Sequence, residues 1–156
     1  MAHGELRQAR AALAVTSSWL FWALLAAAFA ALTAIFGKLG VAQINADYAT
    51  LLRTLVVVVV LAAIVAATGQ AQPLTDIAGR TYLFLVLSGV ATGLSWLCYY
   101  RALKLGPASL VAPVDKLSVV LVAIFGVALL GERLDLRQWC GIAAIGGGVL
   151  LLAWRP

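Results

Sequence analysis

Five long apolar stretches separated by short polar segments occupy nearly the whole chain. A helix rises 1.5 Å per residue, so about 20 apolar residues cross a hydrocarbon core roughly 30 Å thick. The pattern therefore predicts an all-α membrane protein with five transmembrane helices behind a polar tail. We expect the tail at residues 1–18 and the helices at approximately residues 19–39, 48–67, 82–103, 108–130 and 138–154.

The third stretch contains a pair of glycines at helical spacing. Gly89 and Gly93 lie four residues apart, so they share one face of the predicted helix. Small residues at this spacing let two helix backbones approach closely in a membrane. We therefore expect this face to pack against another helix.

The fourth stretch contains two adjacent charges, Asp115 and Lys116. They lie about 10–12 Å from the Gly106-Pro107 turn, and a charge at such depth costs at least about 2.5 kcal/mol. Neighbouring residues on a helix point about 100° apart, so we expect each charge to need water or a partner on another helix. Pro113 should bend the helix just before them. This predicts a segment of a solute pathway, with a structural ion pair as the alternative.

Charged side chains concentrate in one half of the predicted bundle. Face one denotes the side of the membrane that holds the N-terminus, and face two denotes the opposite side. The half nearest face two contains Lys38, Arg53, Arg101, Lys104, Asp115 and Lys116, with Trp96, Tyr99 and Tyr100. The arrangement predicts a mainly cationic vestibule lined by aromatic rings. Snorkelling to the headgroups is the alternative, and it suffices for Lys38, Arg101 and Lys104.

Five of these residues are the candidate binding groups. Asp115 is too short to snorkel, and we expect it to hold a proton or a substrate ammonium group. Arg53 and Lys116 are suited to a carboxylate or a phosphate. Trp96 and Tyr99 offer stacking surface.

Glu132 closes the fourth stretch, directly after Gly131. It lies on face one, opposite Asp115. We expect a structural role, either as the cap of the fifth helix or as the partner of Arg133 or Arg137.

Composition excludes several classes of function. The chain is 64% hydrophobic and 11% charged, against about 25% charged residues in average proteins. Its net charge of +5 is scattered rather than gathered into one block, which argues against nucleic-acid binding. The sequence contains no GxxxxGK[ST] motif for ATP. Cys98 and Cys140 lack metal-ligand spacing, so we expect no metal or cofactor, and an enzyme ranks below the transport functions.

The basic residues are nearly balanced between the two faces. Face one has five: Arg7, Arg10, Arg80, Arg133 and Arg137. Face two has four, or six with Arg53 and Lys116: Lys38, Arg101, Lys104 and Arg155. Because orientation follows this imbalance, the count predicts dual topology and an antiparallel homodimer. A parallel dimer and a complex with another subunit are the alternatives.

The sequence also resembles a known pattern. It has a tyrosine–alanine–leucine helix end, a small turn, a long span closing with Gly-Glu and a glycine-rich last helix, at Tyr99–Gly106, Ala108–Ala112, Leu130–Leu134 and Gln138–Gly141. These segments resemble the second part of the EamA repeat of the drug/metabolite transporter superfamily. The chain has one such repeat, similar to the five-helix bacterial and archaeal group. It departs from the common pattern at Asp115-Lys116-Leu117-Ser118, where many members have a proline.

The resemblance implies a transporter, in agreement with the charge pattern. We expect a multi-pass protein of the cell inner (plasma) membrane that exports a small polar or amphipathic metabolite. It would work as a dimer, driven by protons or by the solute's own gradient. The excess of cations favours anionic or zwitterionic substrates. The alternatives are a non-transporting partner subunit and a flippase for lipid headgroups.

Overall fold

The structure, a computed structural model, describes residues 18–154. Over this range it contains six α-helices and no strand: α1 Trp19–Val41, α2 Ala46–Thr68, α3 Gly79–Leu105, α4 Ala108–Asp115, α5 Ser118–Leu130 and α6 Leu136–Ala153. A short 3₁₀ turn at Leu74–Asp76 precedes α3. Helices α4 and α5 together form one span, so five segments are long and apolar enough to cross a membrane. The predicted all-α membrane fold is confirmed, while the predicted tail lies almost wholly outside the described residues.

The chain divides into two units, residues 1–36 and 37–156. The described part of the first unit is the helical segment from Trp19 to Phe36. In the second unit, α2 packs against α3, α3 packs against α4, and both α4 and α5 pack against α6. Its buried core lies at the end nearest face two and consists of Val41, Ala46, Ala49, Tyr100 and Leu103.

Local signals set the limits of α2. The side chain of Asn45 caps its N-terminus by accepting from the backbone N–H groups of Asp47 and Tyr48, at 2.8 and 3.3 Å. Gly69 ends it with φ of 64°, a left-handed conformation that favours glycine. Between these caps, the hydroxyls of Thr50, Thr54 and Thr68 donate to carbonyls one turn earlier in α2, at 2.9, 2.7 and 2.8 Å.

Helix α6 is capped by Asp135, not by Glu132. The Asp135 carboxylate accepts from the backbone N–H of Gln138, whose side chain accepts from the Asp135 N–H, both at 2.8 Å. The Glu132 carboxylate instead turns back over α5, where a Cβ added to Gly126 would lie 2.6 Å from Oε2. Within residues 18–154 Glu132 forms no ion pair with Arg133 or Arg137. Glu132 is therefore neither the cap of α6 nor the partner of Arg133 or Arg137. Its carboxylate packs against the backbone at Gly126.

Three basic residues near face two bind protein groups. Lys38 Nζ donates to the carbonyls of Leu103 and Gly106 at 2.6 and 2.8 Å. Arg101 forms a bidentate ion pair with Asp47 at 2.8 and 2.7 Å. Lys104 Nζ donates to the carbonyl of Ile44 at 2.6 Å. These bonds tie the ends of α1, α2 and α3 together, so snorkelling does not account for the three cations.

The fourth span is interrupted directly after Pro113. Proline has no N–H to donate to the preceding turn, and α4 ends two residues later. The backbone then tightens, with the N–H of Lys116 donating to the Pro113 carbonyl at 2.9 Å and the N–H of Leu117 donating to the Val114 carbonyl at 3.0 Å. These bonds reach three residues back instead of four. The expected bend at Pro113 is therefore a break between two helices.

The Gly89/Gly93 face makes no close helix contact within the second unit. A Cβ added at either glycine would meet no atom within 4 Å. Close approaches lie elsewhere in that unit: a Cβ at Gly37 would lie 3.0 Å from Oη of Tyr100, and one at Gly146 would lie 3.1 Å from Cγ2 of Val120. Packing of another helix against Gly89 and Gly93 stays a prediction.

The bonds of Lys38 lead to a prediction about stability. Lys38→Met keeps the apolar arm but removes two short hydrogen bonds from carbonyls at the end of α3. We expect it to lower the free energy of unfolding by about 1.5–3 kcal/mol. Unfolding by SDS in mixed micelles, followed by circular dichroism, measures the change.

Lys104→Met is the matched control, because Lys104 makes one bond to an exposed loop carbonyl. The free energy of unfolding should fall less in Lys104→Met than in Lys38→Met. Equal stability of Lys38→Met and the parent protein would restore snorkelling as the role of Lys38.

Candidate functional site

The break in the fourth span holds an ion pair between neighbouring residues. Lys116 Nζ lies 3.1 Å from Oδ2 of Asp115, and the side chains are 54% and 35% exposed. The expectation that the two do not neutralise each other is wrong. Lys116 lies past the end of α4, in the tightened turn, and its long side chain reaches back to the carboxylate.

Asp115 also faces a cavity of about 430 Å³. The lining consists of Ser95, Cys98, Tyr99 and Ala102 from α3, the Gly106-Pro107 turn, Leu110, Val111, Val114 and Asp115 from α4, and Leu152 and Ala153 from α6. Of these residues only Asp115 is charged. The structure thus places one carboxylate in an apolar cavity at the end of the second unit nearest face two.

Arg53 on α2 forms a second charged position. Its Cζ lies 3.5 Å from the ring centroid of Trp96 and 5.5 Å from that of Tyr100. Such cation–π contacts contribute about 2 kcal/mol or more when desolvated. Within residues 18–154 Nη1 is buried and has no hydrogen-bond partner. A buried donor without a partner is rare in folded proteins, and it marks Arg53 as a candidate ligand group.

Tyr99 connects the two positions. It lines the cavity with Asp115, and it directly precedes Tyr100, whose ring centroid lies 5.5 Å from Cζ of Arg53. Its ring meets that of Tyr100 edge-on, with centroids 6.3 Å apart. Because Trp96 and Tyr100 lie one turn apart, they share the side of α3 that contacts Arg53, whereas Tyr99 belongs to the neighbouring side.

The five candidate residues form two separate groups. Asp115, Lys116 and Tyr99 belong to the cavity region, and Arg53 and Trp96 form a stacked pair on the neighbouring side of α3. Within residues 18–154 Lys116 is paired with Asp115, whereas Arg53 has no carboxylate partner. The arrangement offers a carboxylate to a cationic group and a guanidinium to an anionic group.

Sequence reasoning missed two features of this region. Asp47 forms an ion pair with Arg101, a pairing that the sequence does not predict. Cys98, for which the sequence predicts no binding role, is exposed and lines the cavity. Nothing in the sequence shows that Cys98 faces α4, because that depends on the rotation of α3.

Comparison with known proteins gives a consistent assignment. The EamA-like transporter family matches residues 17–154. An "Uncharacterized transporter in cobO 3'region" of a Sinorhizobium species is 67% identical over 139 residues, which cover 89% of this chain and 99% of that protein. No solved structure matches the chain.

More distant relatives include the "Probable 4-amino-4-deoxy-L-arabinose-phosphoundecaprenol flippase subunit ArnE" of Yersinia pestis (strain Pestoides F). It is 35% identical over 84 residues, which cover 54% of this chain and 74% of that protein. The protein of the same name from Yersinia pseudotuberculosis serotype O:3 (strain YPIII) matches to the same extent. Family match, helix pattern and close relative agree, and the chain belongs to the EamA-like transporter family.

Proposed function

We propose that this transporter is a secondary exporter of a small polar or amphipathic metabolite, located in the inner membrane and working as a dimer. The observation that carries the proposal is the break in the fourth span, which holds Asp115 against the cavity. Interrupted helices form the substrate and ion sites of many secondary transporters, because their exposed backbone is tolerated only beside a cavity.

Each charged position has a role in this proposal. Asp115 takes a proton or a cationic group of the solute, and Arg53 takes an anionic group. Trp96 holds the Arg53 guanidinium over its ring, and the N–H groups of that guanidinium would bind a carboxylate or a phosphate. Because Lys38, Arg101 and Lys104 already have partners, the preference for an anionic group depends on Arg53.

A flippase or a partner subunit is the second candidate. The ArnE relatives are named as flippase subunits, and the cavity walls are largely apolar, as a lipid substrate would require. Substrate-dependent proton release by the purified protein alone would favour the exporter. Activity that needs a second polypeptide would favour the subunit.

The dimer would be antiparallel. The near balance of Lys and Arg between the faces supports it, although Arg7, Arg10 and Arg155 lie outside the described residues. Gly89 and Gly93 offer a small-residue face, where an added Cβ would meet no atom of the described residues within 4 Å. Two copies inserted in opposite directions would supply the pair of inverted repeats that many transporters use.

The proposed role of Asp115 leads to a transport prediction. Asp115→Asn keeps the size of the side chain but cannot ionise, so uptake driven by a pH gradient should be abolished in proteoliposomes. The solute would be the metabolite that most raises the melting temperature of the purified protein in a screen of metabolite classes.

Asp76→Asn is the matched control, since Asp76 lies in the loop before α3. It should transport normally. Proton-driven uptake at the parental rate by Asp115→Asn would exclude Asp115 as the coupling group.

Arg53 is tested by Arg53→Met, which retains an apolar side chain over Trp96. We expect affinity for the same solute to fall about tenfold or more, the effect of one charged hydrogen bond. The melting temperature should change little, because losing the cation–π contact and relieving the unpaired donor act in opposite directions. Equilibrium binding and thermal unfolding measure the two effects.

Arg80→Met is the control for loss of a cation over an aromatic ring. Arg80 lies over Phe84, with Cζ 5.7 Å from the centroid, near the opposite end of α3. The affinity of Arg80→Met for the solute should equal that of the parent protein. Unchanged affinity in Arg53→Met would leave Arg53 with a structural role only.

Dual topology predicts partial labelling on both faces. Single cysteines would replace Thr75, in the loop on face one, and Gln43, in the loop on face two, in a background lacking Cys98 and Cys140. An impermeant thiol reagent added to intact cells should label a fraction of each. Complete labelling at one position with none at the other would establish one orientation and exclude the antiparallel dimer.

A further inference from the structure

The cavity has one charge and otherwise apolar walls. Leu110, Val111 and Val114 of α4 line it together with Leu152 of α6, and α3 adds the uncharged polar groups of Ser95, Cys98 and Tyr99. The Asp115 carboxylate is the group that a charged ligand would meet. A ligand that fills this space needs an apolar body, and attraction to Asp115 requires that its charge be positive.

Lys116 neutralises that carboxylate from outside the cavity. It does not line the cavity, and it contacts one oxygen, Oδ2. Among residues 18–154 it is the hydrogen-bond and ion-pair partner of Asp115, and no second one exists there. The Lys116 side chain is 54% exposed and holds one of the two carboxylate oxygens, so a cationic group of a ligand can approach the other oxygen.

The Asp115–Lys116 ion pair would keep the Asp115 carboxylate neutralised when no ligand is bound. An unpaired carboxylate at this depth is costly, so the unoccupied cavity needs a cation beside Asp115. A ligand ammonium group can replace Lys116 without leaving the carboxylate unpaired. The released lysine is long and exposed, and it can extend towards the headgroups at face two. The Asp115 side chain is too short to reach the headgroups.

We propose that Lys116 is a tethered counter-ion of Asp115, and that the cavity takes an amphipathic cation, a protonated amine with an apolar body, whose charge displaces Lys116. The inference rests on the proposed function and names the cationic part of its substrate. Lys116 then sets specificity, because it competes with every cationic ligand and with none that is neutral. An anionic group of the same solute would remain for Arg53.

Cys98 provides the measurement. It lines the cavity as a free, exposed thiol, so a ligand in the cavity should slow its alkylation by N-ethylmaleimide. The probes are 2-phenylethylamine, 2-phenylethanol and phenylacetate, which share an aromatic body and carry positive, no and negative charge at neutral pH. Alkylation of Cys98 is followed by mass spectrometry in full-length purified Cys140→Ala protein.

We expect the amine to protect Cys98 at lower concentration than the other two probes, and Asp115→Asn to remove this preference. Lys116→Met should lower the half-protecting concentration of the amine at least about threefold, since it removes the competing partner of a partly exposed ion pair. Lys116→Arg keeps the cation and should resemble the parent. Cys140, measured in Cys98→Ala protein, lies outside the cavity lining and should be unprotected.

Three results would overturn the proposal. Equal protection by all three probes would show an apolar cavity without charge selection, and stronger protection by phenylacetate would show the opposite selectivity. An unchanged amine concentration in folded Lys116→Met protein would show that Lys116 does not compete. The three-probe comparison needs no variant at position 115 or 116. It therefore tests charge selection by the cavity even if a substitution at either position unfolds the protein. The assay requires no transport, so its failure is distinct from failure of the exporter assignment.

Discussion

The cost of a charge in hydrocarbon organises the end of this protein nearest face two. Among residues 18–154, three cations there that could have reached the headgroups are instead bound: Lys38 to two carbonyls, Arg101 to Asp47, and Lys104 to a loop carbonyl. These contacts do two things together. They satisfy charges that would otherwise be expensive in a membrane, and they hold the ends of α1, α2 and α3 at fixed positions. The small buried core, built around Tyr100 and Leu103, lies at the same end.

Two charged groups have fewer polar partners within the described residues, and one of them, Asp115, lines the cavity. Arg53 is stacked on Trp96 with a buried N–H that has no acceptor within the described chain. Asp115 has one ion-pair partner among residues 18–154, Lys116, and it also lines the cavity. Helix ends held in place by hydrogen bonds and ion pairs, next to charged groups that lack some of their polar partners, are expected of a binding site. The ligand then supplies the missing interactions.

The break in the fourth span links this chemistry to the fold. A continuous helix would have pointed Asp115 and Lys116 in directions about 100° apart. Pro113 removes a backbone donor, the turn tightens, and the lysine can reach its neighbour. One residue without an N–H thus determines that the carboxylate is neutralised locally and faces the space between α3, α4 and α6.

The sequence alone determined the fold class, the number of spans and the family, because each depends on runs of apolar residues or on local motifs. It also identified Arg53, Asp115 and Pro113, since charge and proline inside an apolar stretch are costly wherever the helices lie. It could not determine which charges meet. The pairing of Arg101 with Asp47 spans 54 residues, and that of Lys38 with the Gly106 carbonyl spans 68. Likewise, Cys98 and Leu152 share a cavity only because of how α3 and α6 are rotated about their axes. Helix rotation is set by packing between segments distant in sequence, and only the tertiary structure decides it.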